Sequence, residues 1–245
     1  MDTVVILTIS FFLIALVYSS VGFGGGSSYL ALMAVMGVSQ ETMRPSALLC
    51  NIVVVVGGAV IFGKAGHLDL RKSWPFILAS VPFSFLGGYW KIGEHSFFLL
   101  LGSTLVLASL ALWIQPGEDN KKLSNSIPLN VGLSAGVGFL SGLVSIGGGI
   151  FLSPILHLSK WDTARKISAM ASIFILANSV SGLAGQFARS AGIDWAFVLP
   201  LLGAVLIGGQ IGSRLGANKF NPVYIRRITA ALILMAGINI LRDHL

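Results

Sequence analysis

Eight long stretches of this 245-residue chain contain no aspartate, glutamate, lysine or arginine: Thr3–Gln40, Pro45–Gly63, Ser73–Trp90, His95–Gly117, Leu123–Ser159, Ile167–Ala188, Trp195–Ser213 and Ile228–Leu241. A helix needs about 20 apolar residues to cross the hydrocarbon core of a bilayer. Five of the stretches have the length of one crossing, and Ile228–Leu241 reaches it if Arg226 and Arg227 extend toward the headgroups from its first turn. Only 10% of the residues are charged, against about 25% in an ordinary soluble domain. The predicted class is therefore an all-α polytopic membrane protein, with the lipid bilayer as its first partner. The start Met1-Asp2-Thr3 lacks the positive region of a secretory leader, so the first apolar stretch is expected to stay in the mature protein.

Thr3–Gln40 and Leu123–Ser159 are too long for one span, and each is interrupted by a glycine triplet, Gly24-Gly25-Gly26 and Gly147-Gly148-Gly149. Each reads as two helical arms joined at a glycine elbow. At a shift of 123 residues Val21 and the first triplet fall on Val144 and the second. At 125, Gly66–Asp69 lies over Ala191–Asp194, and at 121, Gly87-Gly88 lies over Gly208-Gly209. The chain thus divides into a first repeat (1–117), a polar linker (118–126, within Gln115–Ser126) and a second repeat (127–245). Each repeat holds an elbowed pair and three further spans. If both arms of each elbow return to the side they left, Arg44, Lys91, Arg189 and Arg242 share one side and the other twelve Lys and Arg the opposite one. Basic loops stay in the cytoplasm, so both termini are expected outside and the repeats inverted, a plan many secondary transporters share.

The net charge of +7 follows from those basic loops, and no nucleic-acid partner is expected. A single cysteine, Cys50, rules out an intrachain disulfide and a cysteine metal cluster. The four histidines are scattered; His95 opens one of the stretches and only His157 sits inside an apolar one. No complete G-x-S-x-G, H-E-x-x-H or G-x-G-x-x-G is present. The chain is therefore not expected to be an enzyme, nor to hold a cofactor or metal. All nine acidic residues fall in predicted loops or termini, which leaves no carboxylate at mid-membrane for a sodium site or proton relay.

The triplets are the best candidates for chemistry. A run of glycines can point successive backbone N–H groups at an anion, and a helix starting just after each triplet adds its free N–H groups and positive dipole end. Gly24, Gly25, Gly26, Gly147, Gly148 and Gly149 are accordingly the predicted substrate-binding backbone. Ser27, Ser28 and Ser145 add hydroxyls to it. Asn51 and Asn178, in the first single span of each half, and Ser172, at a shift of 121 from Asn51, are candidates to line the pathway. Helix–helix hydrogen bonding is the plainer role for all three. Cys50 and His157 are left to packing, and Arg44 and Arg165, which follow the two elbows at equivalent positions, to anchoring or to anion attraction at the two mouths.

Val21–Gly26 with Ser27-Ser28, Val144–Gly149, Gly66-His67-Leu68-Asp69, Gly192-Ile193-Asp194 and Ala171–Ser179 followed by Ser181-Gly182 resemble the TauE/SafE family of sulfite exporter-like membrane proteins. The resemblance covers essentially the whole chain. It implies a multi-pass protein of the inner (plasma) membrane that exports a small anion, sulfite, an organosulfonate or a related sulfur compound. An anion channel and a membrane scaffold or assembly factor are the alternatives; whether the chain forms a homo-oligomer is left open.

Overall fold

The computed structural model describes residues 3–114, 127–159, 161–189, 192–218 and 222–244, so the predicted linker at 118–126 lies outside the described residues. They form ten helices: α1 (Thr3–Ser19), α2 (Gly26–Val35), α3 (Gln40–Lys64), α4 (Leu70–Tyr89), α5 (Glu94–Ile114), α6 (Ile127–Val144), α7 (Gly149–Leu158), α8 (Ala164–Phe187), α9 (Trp195–Asn218) and α10 (Pro222–His244).

Local chemistry sets where the helices begin and end. Ser39 caps α3 by accepting from the Thr42 N–H at 3.4 Å, with Glu41 in the first turn and Lys64 in the last, charges that complement the helix dipole. Asp69 caps α4 through the Lys72 N–H at 3.2 Å, and Asp194 does the same for α9 through Phe197 N–H at 3.1 Å. α2 and α7 have no side-chain cap. Each starts from a glycine in the left-handed region, Gly25 at φ 91° and Gly148 at φ 80°, where a Cβ is penalised.

Among the described residues four helices are long and apolar enough to cross a membrane: Gln40–Lys64, Glu94–Trp113, Ala164–Phe187 and Trp195–Gly216. Trp74, Trp90, Trp113 and Trp195 are exposed near helix ends, as tryptophans are at a membrane–water interface. Exposed apolar side chains such as Leu78, Leu107, Leu199, Ile207 and Ile238 cover the outer faces between them. α1, α2 and α7 are shorter apolar helices. α4 and α10, which the sequence pattern also counts as spans, carry the basic pairs Arg71-Lys72 and Arg226-Arg227 near their starts.

Helix pairing is regular. α1 lies along α9 and α6 along α4, α3 packs on α8 and α9, α8 also packs on α4, and α5 pairs with α10. Replacing every helix by the one five places further along the chain returns the same set of pairs. The closest approaches run along glycines. A Cβ on Gly138 or Gly142 of α6 would overlap the carbonyls of Ser80 and Ser84 on α4. On α9, Gly208, Gly212 and Gly216 lie in the same way against the carbonyls of Phe12, Leu16 and Ser20. Small residues four apart let membrane helices meet backbone to backbone. Serines add hydrogen bonds between helices: Ser84 Oγ donates to the Asn178 carbonyl and Ser109 Oγ to that of Ala230, each at 2.8 Å, and Ser181 Oγ to that of Val81 at 2.6 Å.

The two ends of the bundle differ. At one, the start of α3, the segments that lead into α5 and α9, and the ends of α4 and α8 surround an open cavity of about 510 Å³. At the other, Lys72 at the start of α4 reaches Asp162, ahead of α8, at 3.2 Å, and Lys166 of α8 reaches the same carboxylate at 3.3 Å.

Candidate functional site

After α1 the chain closes on itself, with Gly22 N–H donating to the Ser19 carbonyl at 3.1 Å and Phe23 N–H to that of Tyr18 at 3.0 Å. It then runs through Gly24 into α2, whose first recurring bond is Tyr29 N–H to the Gly25 carbonyl at 3.0 Å. The intervening N–H groups of Gly24, Gly25, Gly26, Ser27 and Ser28 have no acceptor among the described residues. The second break is built alike. Ile146 N–H donates to Ser141 O at 3.2 Å, Phe151 and Leu152 N–H donate to Gly148 O, and those of Gly147, Gly148, Gly149 and Ile150 have no acceptor among the described residues. Ser145 adopts φ 64°, the sole non-glycine in the left-handed region among the described residues. Buried backbone donors left in this state are rare outside sites that receive a ligand or water.

The two breaks meet at Asn51, which is fully buried on α3. Its Nδ2 donates to the Ile146 carbonyl of the second break at 2.9 Å. A Cβ on either Gly24 or Gly26 of the first break would strike the same amide, and one on Gly147 would come within 2.9 Å of its nitrogen. Glycine is therefore needed here for close approach. α8 makes the reciprocal link, since Ser172 Oγ donates to the Gly22 carbonyl of the first break at 3.0 Å. Each long helix thus holds the break that belongs to the other half of the chain.

The remaining predicted residues are placed as follows. Gly25 sits against the rings and side chains of Tyr29 and Ile14, Gly148 against Ser141 and Phe174, and Gly149 against Ile175. Ser28 shares a 2.5 Å hydrogen bond with the Tyr18 hydroxyl, and Ser27 is buried beside the same phenol. Asn178 Nδ2 donates to Ser80 Oγ at 3.0 Å and to Phe174 O at 2.9 Å, so its amide faces α4. Cys50 is a buried free thiol within the apolar core, and His157 lies in the last turn of α7.

Three side chains that the sequence did not mark as candidates, Ser141, Ser179 and Gln186, complete the surroundings. Asn51 Oδ1, Asn178 Oδ1, Ser141 Oγ, Ser179 Oγ and Gln186 Oε1 are all buried without a partner. Ser179 Oγ and Ser141 Oγ lie 3.0 and 3.2 Å from where Cβ atoms of Gly147 and Gly148 would stand, so unsatisfied hydroxyls line the second break. Ser145 Oγ accepts from Gln186 Nε2 at 2.9 Å and from Arg44 Nε at 3.2 Å. Arg44 is 9% exposed, whereas Arg165, its counterpart at a shift of 121, is exposed. The acidic residues Glu41, Asp69, Glu94, Asp162, Asp194 and Asp243 all stand in loops, at caps or in terminal turns. Among the described residues no group of histidine, cysteine and acidic side chains is placed to hold a metal ion.

Among the described residues, helices long and apolar enough to cross a membrane enclose a buried polar centre of glycine backbone, serines and asparagines, and the class that goes with this architecture, a membrane transporter, is given by the family. The family model of the sulfite exporter TauE/SafE matches residues 7–240, nearly the whole chain, and the protein belongs to that family. It is 33% identical to the probable membrane transporter protein y4hK of Sinorhizobium fredii, over 98% of this chain and 100% of that one. It is 23% identical to the probable membrane transporter protein YunE of Bacillus subtilis, over 94% of this chain and 95% of the other. A probable membrane transporter protein of Methanocaldococcus jannaschii is 21% identical over 96% of this chain and 94% of its own. No solved structure matches the chain.

Proposed function

We propose that the protein exports a small oxyanion, of the class of sulfite or an organosulfonate, and holds it where the two broken helices meet. The carrying observation is the convergence on Asn51 of two helix starts whose N–H groups lack acceptors. An N–H cradle at two positive helix ends suits an anion and repels a cation. Membership of a family described as sulfite exporters supports the same substrate class. The acidic residues at helix ends and in loops fit a carrier that needs no mid-membrane carboxylate. A potential negative inside favours anion exit by about 2.3 kcal/mol per charge per 100 mV.

The reading includes an architecture. Residues 1–117 and 127–245 act as two inverted repeats with glycine elbows at 24–26 and 147–149, joined by the linker at 118–126. The pairing of helices that recurs every five elements supports it, as does the reciprocal hold of Asn51 on one break and Ser172 on the other. Both termini face outward from the inner membrane. The grouping of Arg44, Lys91 and Arg189 around the cavity at one end, and of Lys72 and Lys166 at the other, agrees with the charge asymmetry of the loops.

Gly148 provides the test. Alanine there meets the cost of a left-handed backbone, about 1–2 kcal/mol, and aspartate no more than that, while the Cβ of either crowds Ser141 and Phe174. Only aspartate adds a negative charge at the start of α7. Sulfite is expected to protect wild type and Gly148→Ala against heat, and to leave Gly148→Asp unprotected and without flux in proteoliposomes. Equal binding of sulfite by the two variants at matched stability overturns the elbow as the binding site.

A further inference from the structure

The cavity at the end of the bundle that holds the α3 and α9 starts has a charged floor. Its rim carries Glu41, Lys91, Arg189 and Asp194, all exposed. Beneath them lies Arg44, 9% exposed, which forms no ion pair among the described residues. A guanidinium taken out of water without a counter-charge is unfavourable unless an anion comes to it. Its place is nevertheless fixed on three sides. Nε donates to Ser145 Oγ at 3.2 Å, one Nη2 hydrogen goes to the Gly142 carbonyl at 3.4 Å, and the Phe97 ring lies 5.8 Å from Cζ, within the range of a cation–π contact. The other Nη hydrogens have no acceptor among the described residues, and Arg44 lines the cavity.

Gln186 stands beside it at the floor, 5% exposed, with Nε2 on Ser145 Oγ and Oε1 without a partner. Ser145 Oγ in this arrangement accepts twice, from Arg44 and from Gln186. Turning the amide over lets the serine hydroxyl donate to Oε1 and places the NH2 group at the buried position that Oε1 holds now, beside the cavity lining. The two ends of an amide have nearly the same shape, so the exchange needs no repacking. The floor then offers the open edge of a guanidinium, which matches the oxygens of a small oxyanion, with an amide donor just behind it for an anion that seats against Ser145.

We propose that Arg44 and Gln186 form an outer binding site for small oxyanions at the floor of this cavity, a station separate from the meeting point of the two breaks. Ser145 joins the two places, since it precedes Gly147–Gly149 in the chain and holds both donors. The assignment rests on the reading of the protein as an anion transporter, and it adds a specificity-determining pair to it. The halves differ here: Arg165, at the position equivalent to Arg44, is exposed, so the arginine station belongs to one side of the membrane only.

The test is titration calorimetry of the full chain in detergent with sodium sulfite under nitrogen, and with sodium sulfate as a second probe, at constant ionic strength. Arg44→Gln and Gln186→Glu are each expected to weaken binding of at least one probe tenfold or more. Arg44→Lys, which keeps the charge and loses the fork, should fall between Arg44→Gln and wild type, and Arg71→Gln, a charge change at the other end of the bundle, should stay within twofold of wild type. If Arg44→Gln does not fold, Gln186→Glu carries the test, because Gln186 holds nothing but Ser145. Binding within twofold of wild type for the folded variants, or no binding of either probe by wild type, overturns the site. Proteoliposome flux separates the two levels. Arg44-dependent binding without sulfite flux keeps the outer site and removes the transport reading. Flux with a KM unchanged in Arg44→Gln and Gln186→Glu removes the outer site and keeps transport.

Discussion

Replacing Asn51 with alanine tests whether the two breaks depend on one side chain. The Asn51 amide is fully buried, and its one hydrogen bond, 2.9 Å to the Ile146 carbonyl, crosses from α3 to the second break. Oδ1 has no partner, so its removal is free of loss. The Ile146 carbonyl is the group that suffers, left inside the bundle without its donor, which costs about 1–3 kcal/mol. For a chain of this size each kcal/mol moves Tm by about 2–4 °C, so Asn51→Ala should melt about 2–12 °C below wild type in the same detergent. Ser172→Ala is the matched comparison. Its hydroxyl divides between Gly22 O at 3.0 Å and Ser168 O at 3.1 Å, and the loss should be nearer 0.5–1.5 kcal/mol. Asn51→Asp also removes the donor to Ile146 and adds a carboxylate at the meeting point, so it should melt at least as far below wild type as Asn51→Ala, and sulfite flux in proteoliposomes should stop. An Asn51→Ala protein within 1 °C of wild type and with full flux would refute the idea that Asn51 joins the breaks.

Asp162 supplies a pH-dependent contact. Burial pulls its carboxyl upward, but the Thr163 N–H, Lys72 and Lys166 outweigh it and hold it below its ordinary value. A depressed carboxyl stabilises the fold fully above its unfolded pKa of about 3.9. Asp162→Asn should therefore cost about 1–2 kcal/mol at pH 7, and its Tm gap to wild type should close as pH falls below about 4; a gap that is constant with pH contradicts this. Asp69→Ala and Asp194→Ala should each lose about 0.5–2 kcal/mol of stability as caps, and Asp194→Asn should transport with unchanged stoichiometry, whereas loss of proton coupling in folded Asp194→Asn would show a different role. Reporter fusions after Leu245 and within Gln115–Ser126 should report opposite faces of the membrane, the linker cytoplasmic; the same face from both would remove the inverted arrangement.

Much of the helical framework could be read before any coordinates. An uncharged run too long for one crossing must break, and the glycine triplets mark where α1 gives way to α2 and α6 to α7. Asp69 and Asp194 stand at helix starts as a shift of 125 residues suggests. The relation of Ser172 to Asn51 at a shift of 121 is matched by their reciprocal bonds to the two breaks. What stayed hidden depends on contacts between distant elements. Nothing in the sequence separates Arg44 from Arg165, since each is a basic residue soon after a triplet. Phe97 from α5 and Ser145 from the second break are what bury the first. Gln186 reads as one polar residue near the end of an apolar helix until Ser145 is brought to it across 41 residues. The partner of Ser28 was equally out of reach, since the turn that follows α1 brings its hydroxyl to Tyr18.

The glycine contacts of α9 also set a schedule for synthesis. Gly208, Gly212 and Gly216 are the surface on which Phe12, Leu16 and Ser20 rest, yet they are translated almost two hundred residues later. At about 5–20 residues per second, α1 stays in the membrane for roughly 10–40 seconds before its partner leaves the ribosome. Throughout that interval the face that α9 will take is without its partner helix. Insertion and packing are therefore separate events for this chain, and assembly of the bundle cannot finish until its ninth helix has been made.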